Sequence, residues 1–327
     1  MIISRTPMRI SLFGGGTDFP SWYKENGGSV ISGTINKYTF VNIRYLPPFF
    51  DFKYCIRYYK REETQNIQSI KHPTVRECLK LMNVKNGIEI IHNADLPAMS
   101  GLGSSSSFTV GLLNAINALY GKYISKKELA YNAIHIEQNI LKEAVGSQDQ
   151  VGASFGGFNK IDFLGEDINV TPIIMDKKKL NKLETSFLLY FTGLQRKANK
   201  IEKSKINNLS KNKKDLTEMC ELTNVAFNSI NLNNKNFNEV GYLLNEQWKL
   251  KKSLSNLVSN TEIDNIYEKG IKAGALGGKL LGAGGGGFIL FYVDDASKEN
   301  VKMKLKNYLH VPFRFDFTGS QIVYYSH

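Results

Sequence analysis

The chain has 327 residues, enough for one large domain or two ordinary ones. With 42% hydrophobic and 22% charged residues it can bury a core of its own, which excludes the disordered and collagen-like classes. The formal net charge of +12 gives a surface field that draws polyanions or phosphorylated small molecules, without choosing between them.

Three cysteines, Cys55, Cys78 and Cys220, are an odd number at spacings that fit no disulfide or zinc framework, which points to a reducing compartment. The stretch Met1 to Pro7 lacks the apolar core of a signal peptide, and Phe288 to Val293 is far too short to span a bilayer. The expectation is a cytoplasmic protein with no membrane partner.

The first informative segment runs Arg5-Thr-Pro7-Met-Arg9-Ile-Ser-Leu-Phe-Gly14-Gly15-Gly16-Thr17-Asp18. A cation, three glycines and a carboxylate at a strand-to-loop transition suit a polyhydroxylated ligand, with Asp18 accepting from hydroxyls; an Asx-turn explains Asp18 equally well. Beyond it, the alternation between Tyr38 and Leu46 and the β-rich run Gly87 to His92 predict strands.

The middle segment, Pro97-Ala-Met-Ser-Gly101-Leu102-Gly103-Ser104-Ser105-Ser106-Ser107, leads into apolar residues at Phe108, Leu112, Ala115 and Leu119, the spacing of a helix facing a core. Glycines let backbone N–H groups turn toward a ligand, and the first helical turn offers unpaired donors and partial positive charge, which suits a polyphosphate. Serine hydroxyls can donate to phosphate or ligate magnesium, which prefers oxygen. An ordinary serine N-cap after a flexible turn is the plainer explanation. Next, Ser125 followed by Glu128 forms a capping box that opens a helix running through Glu137 to about Lys142.

The Lys- and Asn-rich stretch from about Lys197 to Asn238 has Leu216, Met219, Leu222, Val225 and Phe227 at helical intervals and reads as solvated helices. A composition shift near Glu184 divides the chain into residues 1–184 and 185–327. The last segment, Gly277 to Gly287, contains G-x-G-x-x-G, but a strand-like run follows it where a dinucleotide fold needs a helix. Lys279 is followed by Leu280, so it is not a Walker A loop, and the His-Arg-Asp and Asp-Phe-Gly triplets of protein kinases are absent from the sequence.

These three segments, in this order, resemble the three motifs of the GHMP kinases, the superfamily of galactokinase, homoserine kinase and mevalonate kinase. The resemblance covers nearly the whole chain, and P-x-x-x-G-L-G-S-S-S-S is its specific part. The opening R-T-P-M-R-I-S-L-F-G-G-G-T-D-F, the S-Q-D-Q at Ser147 to Gln150 and the F-T-G-L-Q-R at Phe191 to Arg196 resemble the branch of sugar-1-kinases acting on D-glycero-D-manno-heptose 7-phosphate.

The resemblance implies an α+β fold, with an N-terminal domain like that of ribosomal protein S5 and a ferredoxin-like C-terminal domain. It implies ATP and Mg2+ as cofactors and transfer of a phosphoryl group to the anomeric hydroxyl of the heptose phosphate. That product, the 1,7-bisphosphate, feeds GDP-heptose and surface polysaccharide synthesis. It further implies Asp149 as catalytic base with Arg9 beside it, and Ser105 and Glu137 as magnesium ligands. The nucleotide would lie on Pro97, Gly101, Leu102, Gly103 and Ser104 to Ser107, and the sugar on Gly15, Gly16, Thr17, Asp18, Gly284 and Gly285.

Galactokinases carry Glu-His where this chain has Gly15-Gly16, which counts against galactose. Arg196 is the candidate for the distal phosphate, because a guanidinium makes the better fork for phosphate oxygens. An L-fucokinase-like enzyme is the alternative within the superfamily. The charge and the S5-like fold also raise a nucleic-acid-binding protein, but no nucleic-acid partner is expected. A homo-oligomer is compatible with this reading.

Overall fold

A computed structural model describes residues 1–194, 198–232 and 237–326. Among these residues, strands β1 (Ile2–Phe13), β2 (Gly28–Tyr45), β3 (Tyr54–Arg57), β4 (Arg61–Thr64), β5 (Ile88–Ala94), β6 (Phe158–Leu164), β7 (Asp167–Pro172), β8 (Phe187–Phe191), β9 (Ala275–Leu280), β10 (Phe288–Val293), β11 (Leu309–His310) and β12 (Gln321–Tyr325) form two sheets. The first has the order β12-β1-β2-β5-β3-β4, with β6 joined to β2 and β7 to β6; the second runs β11-β8-β10-β9.

β2 is long because it serves two neighbours. Residues 28–33 pair with β6 and residues 39–45 with β5, while β1 lies antiparallel along most of its length. β1 is buried nearly throughout although five of its twelve residues are polar, and its buried Ser4, Thr6, Arg9 and Ser11 are carried into the interior with the apolar positions. The division at 184 falls just before β8, the first strand of the second sheet. β12, however, pairs with β1, so the end of the chain returns to the first sheet rather than remaining with residues 185–311.

The serine run opens a helix at Ser104–Leu119, as its apolar spacing predicts. Its Val110, Leu113 and Ile116 pack with Ile43 and Ile90 of the first sheet. The capping box at Ser125 also forms: its side chain accepts from Glu128 N–H at 3.2 Å and starts the helix Lys126–Ile134. The expected continuation to Lys142 differs, because the chain widens into a π-helical turn over His135–Ile140, a feature that re-aims side chains. In the helix Lys213–Leu232, Leu216 and Met219 are buried but Val225 is 48% exposed. The core face continues through Thr223, Ala226 and Ile230, so that it steps by four and three residues.

One hydrophobic cluster holds the two sheets together. It contains Met8 and Ile10 of β1, Leu102 of the middle segment, Leu189 of β8, Leu281, and Leu290 of β10. Each such side chain contributes about 1.5–3 kcal/mol by burial. The three glycine-rich segments therefore meet at a seam that the core fixes. Among the described residues, no helix is long and apolar enough to cross a membrane.

Candidate active site

Arg9 projects from β1 with its side chain only 5% exposed. Its Nε donates to Asp149 Oδ1 and its Nη2 to Oδ2, both at 2.7 Å, while Nη1 donates to the carbonyl of Gly101 at 2.8 Å. Fork-on-fork pairing of this kind fixes both orientation and charge. Asp149 sits in the first turn of the helix Gln148–Phe155, 140 residues away in sequence. Burial raises its carboxyl above the ordinary aspartate value, and the Arg9 charge opposes that rise.

Gly103 closes onto this pair. It adopts a left-handed φ of 72°, and a Cβ there would lie 3.3 Å from both Arg9 Cγ and Asp149 Oδ2. Only glycine combines that conformation with that proximity. The first helical bond is Ser107 N–H to Gly103 O at 2.9 Å, so the amides ahead of it lack helical partners at the positive end of the helix. Gly101, Gly103, Ser104, Ser105 and Ser106 line one wall of a cavity that also contains Arg9 and Asp149.

The D-Q pair faces two ways. While Asp149 meets Arg9, the next residue, Gln150, donates from Nε2 to Glu137 Oε2 at 2.5 Å. Glu137, in the π-helical turn and 1% exposed, also accepts from Ser106 Oγ at 2.8 Å and Thr109 Oγ1 at 2.6 Å. Burial pushes its carboxyl up to about 7, against the pull of those donors. The serine bonded to Glu137 is Ser106, the neighbour of the Ser105 expected as a magnesium ligand. One residue is about 100° of helix, and that phase turns Ser105 out to an exposed position on the cavity wall. Among the described residues, no group of three or more His, Cys, Asp or Glu side chains could hold a metal ion. A serine hydroxyl and one carboxylate do fit magnesium, which keeps several waters and takes phosphate oxygens for the rest.

At the opposite wall Asp18 is 3% exposed; its carboxylate accepts from Gly16 N–H and from Gln148 Nε2, each at 2.9 Å. Gly15, Gly16 and Asp18 line the cavity. Thr17 does not, since its hydroxyl donates to the carbonyls of Gly14 (2.8 Å) and Ser29 (3.0 Å) and holds the turn against β2. Other expected contacts also do not line the cavity. Pro97 is exposed, Leu102 lies in the core with its carbonyl accepting from Arg9 N–H, and the Ser107 hydroxyl donates to the Pro7 carbonyl.

Gly284 and Gly285 face away from the cavity as well. A Cβ on Gly284 would lie 2.7 Å from the Val258 backbone, and Gly285 N–H donates to the Val258 carbonyl. Their neighbours Gly282 and Ala283 line the wall instead. A Cβ on Gly282 would lie 2.4 Å from Gly101 Cα, so the third glycine segment packs backbone to backbone on the middle one. Arg196 lies outside the described residues.

Four charged side chains that the motifs do not mark complete the cavity: Glu202, Lys205, Lys251 and Lys279. Lys205 pairs with Glu202 at 2.5 Å. Lys279 sits on β9 inside a glycine-rich run, Glu202 and Lys205 lie in the stretch read from sequence as solvated helices, and Lys251 lies in the helix that follows it. Their signal is burial: Lys205, Lys251 and Lys279 are all under 5% exposed, rare for lysine.

The chain matches the GHMP kinases N terminal domain over residues 70–157 and the GHMP kinases C terminal domain over residues 229–311. It is 32% identical to the D-glycero-alpha-D-manno-heptose 7-phosphate kinase of Campylobacter jejuni, an alignment covering 97% of this chain and 96% of that protein. It is 26% identical to the L-fucokinase/L-fucose-1-P guanylyltransferase of Bacteroides fragilis, over 90% of this chain and 35% of that longer protein. Among solved structures, a D-glycero-D-manno-heptose 1-phosphate kinase from Bacteroides thetaiotaomicron superposes with a TM-score of 0.76 at 26% identity, covering 100% of both chains. With both domains matched in order around one cleft, the chain belongs to the GHMP kinase family.

Proposed function

We propose that this protein transfers the γ-phosphoryl group of ATP to the anomeric hydroxyl of D-glycero-D-manno-heptose 7-phosphate, giving the 1,7-bisphosphate and ADP. The observation that carries this reading is the bidentate Arg9–Asp149 pair, set between the unpaired amides of the serine helix and the Asp18 end of the same cavity. The likeness to the C. jejuni heptose 7-phosphate kinase over nearly its whole length supports the choice of acceptor.

Phosphoryl transfer asks a protein for positioning and charge stabilisation more than for covalent chemistry. The backbone N–H groups around Gly103 to Ser106 hold the phosphates. Asp18, fixed by Gln148 and Gly16, accepts from a sugar hydroxyl and sets the ring. Asp149 takes the proton of the anomeric hydroxyl as the sugar oxygen bonds to the γ-phosphorus and the bond to the bridging oxygen of ADP breaks. A carboxyl raised by burial is a stronger base than a free aspartate, and the Arg9 charge opposes that rise while facing the charge that moves onto the transferring group. Ser106 and Glu137 would hold the Mg2+ that offsets phosphate charge when it is bound.

The test is direct. Purified protein incubated with MgATP and the heptose 7-phosphate should show a second phosphorus resonance coupled to the anomeric proton. Phosphorylation of L-fucose or free heptose in preference to the heptose 7-phosphate would overturn this choice of acceptor.

A further inference from the structure

Three buried lysines enter the cavity from three different elements, and they are not equivalent. Lys205, on the helix Ala198–Asn207, has its own counter-charge in Glu202. Lys251, on the helix Asn238–Ser253, and Lys279, on β9, form no ion pair with a carboxylate among the described residues. Lys251 Nζ donates to the carbonyls of Leu280 (2.8 Å) and Gly282 (2.6 Å), and Lys279 Nζ donates to the carbonyl of Leu12 (2.8 Å). An ammonium has three hydrogens. One on Lys251 and two on Lys279 therefore have no partner among the described residues.

Burying an ammonium with no carboxylate in contact is expensive, and this fold does so twice at one cavity wall, with side chains 3% and 1% exposed and only Glu202 and Asp18 acting from further off. Burial and then the Arg9 charge push Lys279 down to about 7, while burial and then Lys279 lower Lys251. Arg9 has its Nε/Nη2 fork taken by Asp149, so a bidentate grip on a phosphate is not open to it there. The carbonyls hold each Nζ in place, so the two charges are aimed before any ligand arrives.

We propose that Lys251 and Lys279 form a receptor for a phosphate dianion, separate from the amide cradle of the serine helix. The dianion is either the terminal phosphoryl of the nucleotide or the phosphate already carried by the acceptor. The second source rests on the heptose 7-phosphate reading; the receptor itself does not. Lys251 reaches the cavity beside Gly282, and Lys279 is tethered to Leu12, next to the cavity-lining Ser11.

Inorganic phosphate titrated calorimetrically into the nucleotide-free protein should bind, and Lys251→Met or Lys279→Met should weaken it at least tenfold. Steady-state kinetics of the same variants separates the sources. A tenfold fall in the ratio of kcat/KM for heptose 7-phosphate over heptose assigns the receptor to the acceptor. A tenfold fall in kcat on both acceptors assigns it to the nucleotide. Folded variants that bind phosphate as wild type does, with kcat and both KM values within twofold, overturn the proposal. A wild-type enzyme with no preference for the phosphorylated acceptor would sink the heptose reading alone, while phosphate binding still decides the lysines. If a methionine variant fails to fold, Cε-labelled lysine spectra of wild type give the answer: phosphate must move two buried lysine signals, and unmoved signals refute the receptor.

Discussion

Replacing Asp149 by Asn removes the charge and leaves the shape. The new amide keeps one oxygen for Arg9 but turns an NH2 group toward a guanidinium N–H that had been 2.7 Å from a carboxylate oxygen. Removing one partner of a fully buried ion pair costs about 3–5 kcal/mol. Asp149 is 24% exposed and Asn retains one acceptor, so about 1–3 kcal/mol is the fitting range here. For a chain of this size, that is a fall of a few degrees in melting temperature. The catalytic loss should be much larger, since a positioned base contributes about 10²–10⁴-fold. A coupled ADP-release assay would read turnover, and calorimetric titration would read ATP affinity, which should stay within about threefold because the amide cradle is intact. A folded Asp149→Asn enzyme with kcat within fivefold of wild type would refute the placement of the base and the argument for Arg9 with it.

Other expectations follow from the same contacts. Ser106→Ala should lower kcat more than Ser105→Ala, because only Ser106 bonds Glu137; equal effects in side-by-side kinetics would contradict the assignment. In the metal-free protein burial raises the Glu137 carboxyl to about 7, whereas the unfolded chain releases its proton near the ordinary glutamate value of 4.5. The folded state therefore binds more protons over that window, and stability falls as pH rises through it, by up to about 3 kcal/mol. Glu137→Gln should flatten this fall in denaturant titrations run from pH 5 to 8, and should also weaken Mg2+ dependence. Gly282→Ala should destabilise the fold by at least about 2 kcal/mol, because its φ is +68° and the added Cβ would meet Gly101 Cα at 2.4 Å; an unchanged melting temperature would contradict the backbone contact.

The elements that announce themselves locally were legible in the sequence. The helix at Ser104–Leu119 follows from apolar spacing after a glycine turn, and the next helix from its capping box. Three kinds of feature were not legible, each for a physical reason. Which serine hydrogen-bonds Glu137 depends on helix phase, which the run of four serines hides. The π-helical turn that buries Glu137 has no spacing signal separate from an ordinary helix. The buried lysines come from elements joined only by tertiary packing, and a lysine in a charged helix looks solvated until a neighbour covers it. Gly284 and Gly285 illustrate the converse: glycine enrichment marked a close backbone approach, but the partner was Val258 rather than a ligand.

The catalytic geometry depends on where the nucleotide's phosphates lie. A crystal of this protein grown with Mg2+ and a non-hydrolysable ATP analogue should show phosphate oxygens within hydrogen-bond distance of the amides from Gly103 to Ser106, with the terminal phosphate facing Asp149. Phosphates bound elsewhere, with that helix end occupied only by water, would contradict it.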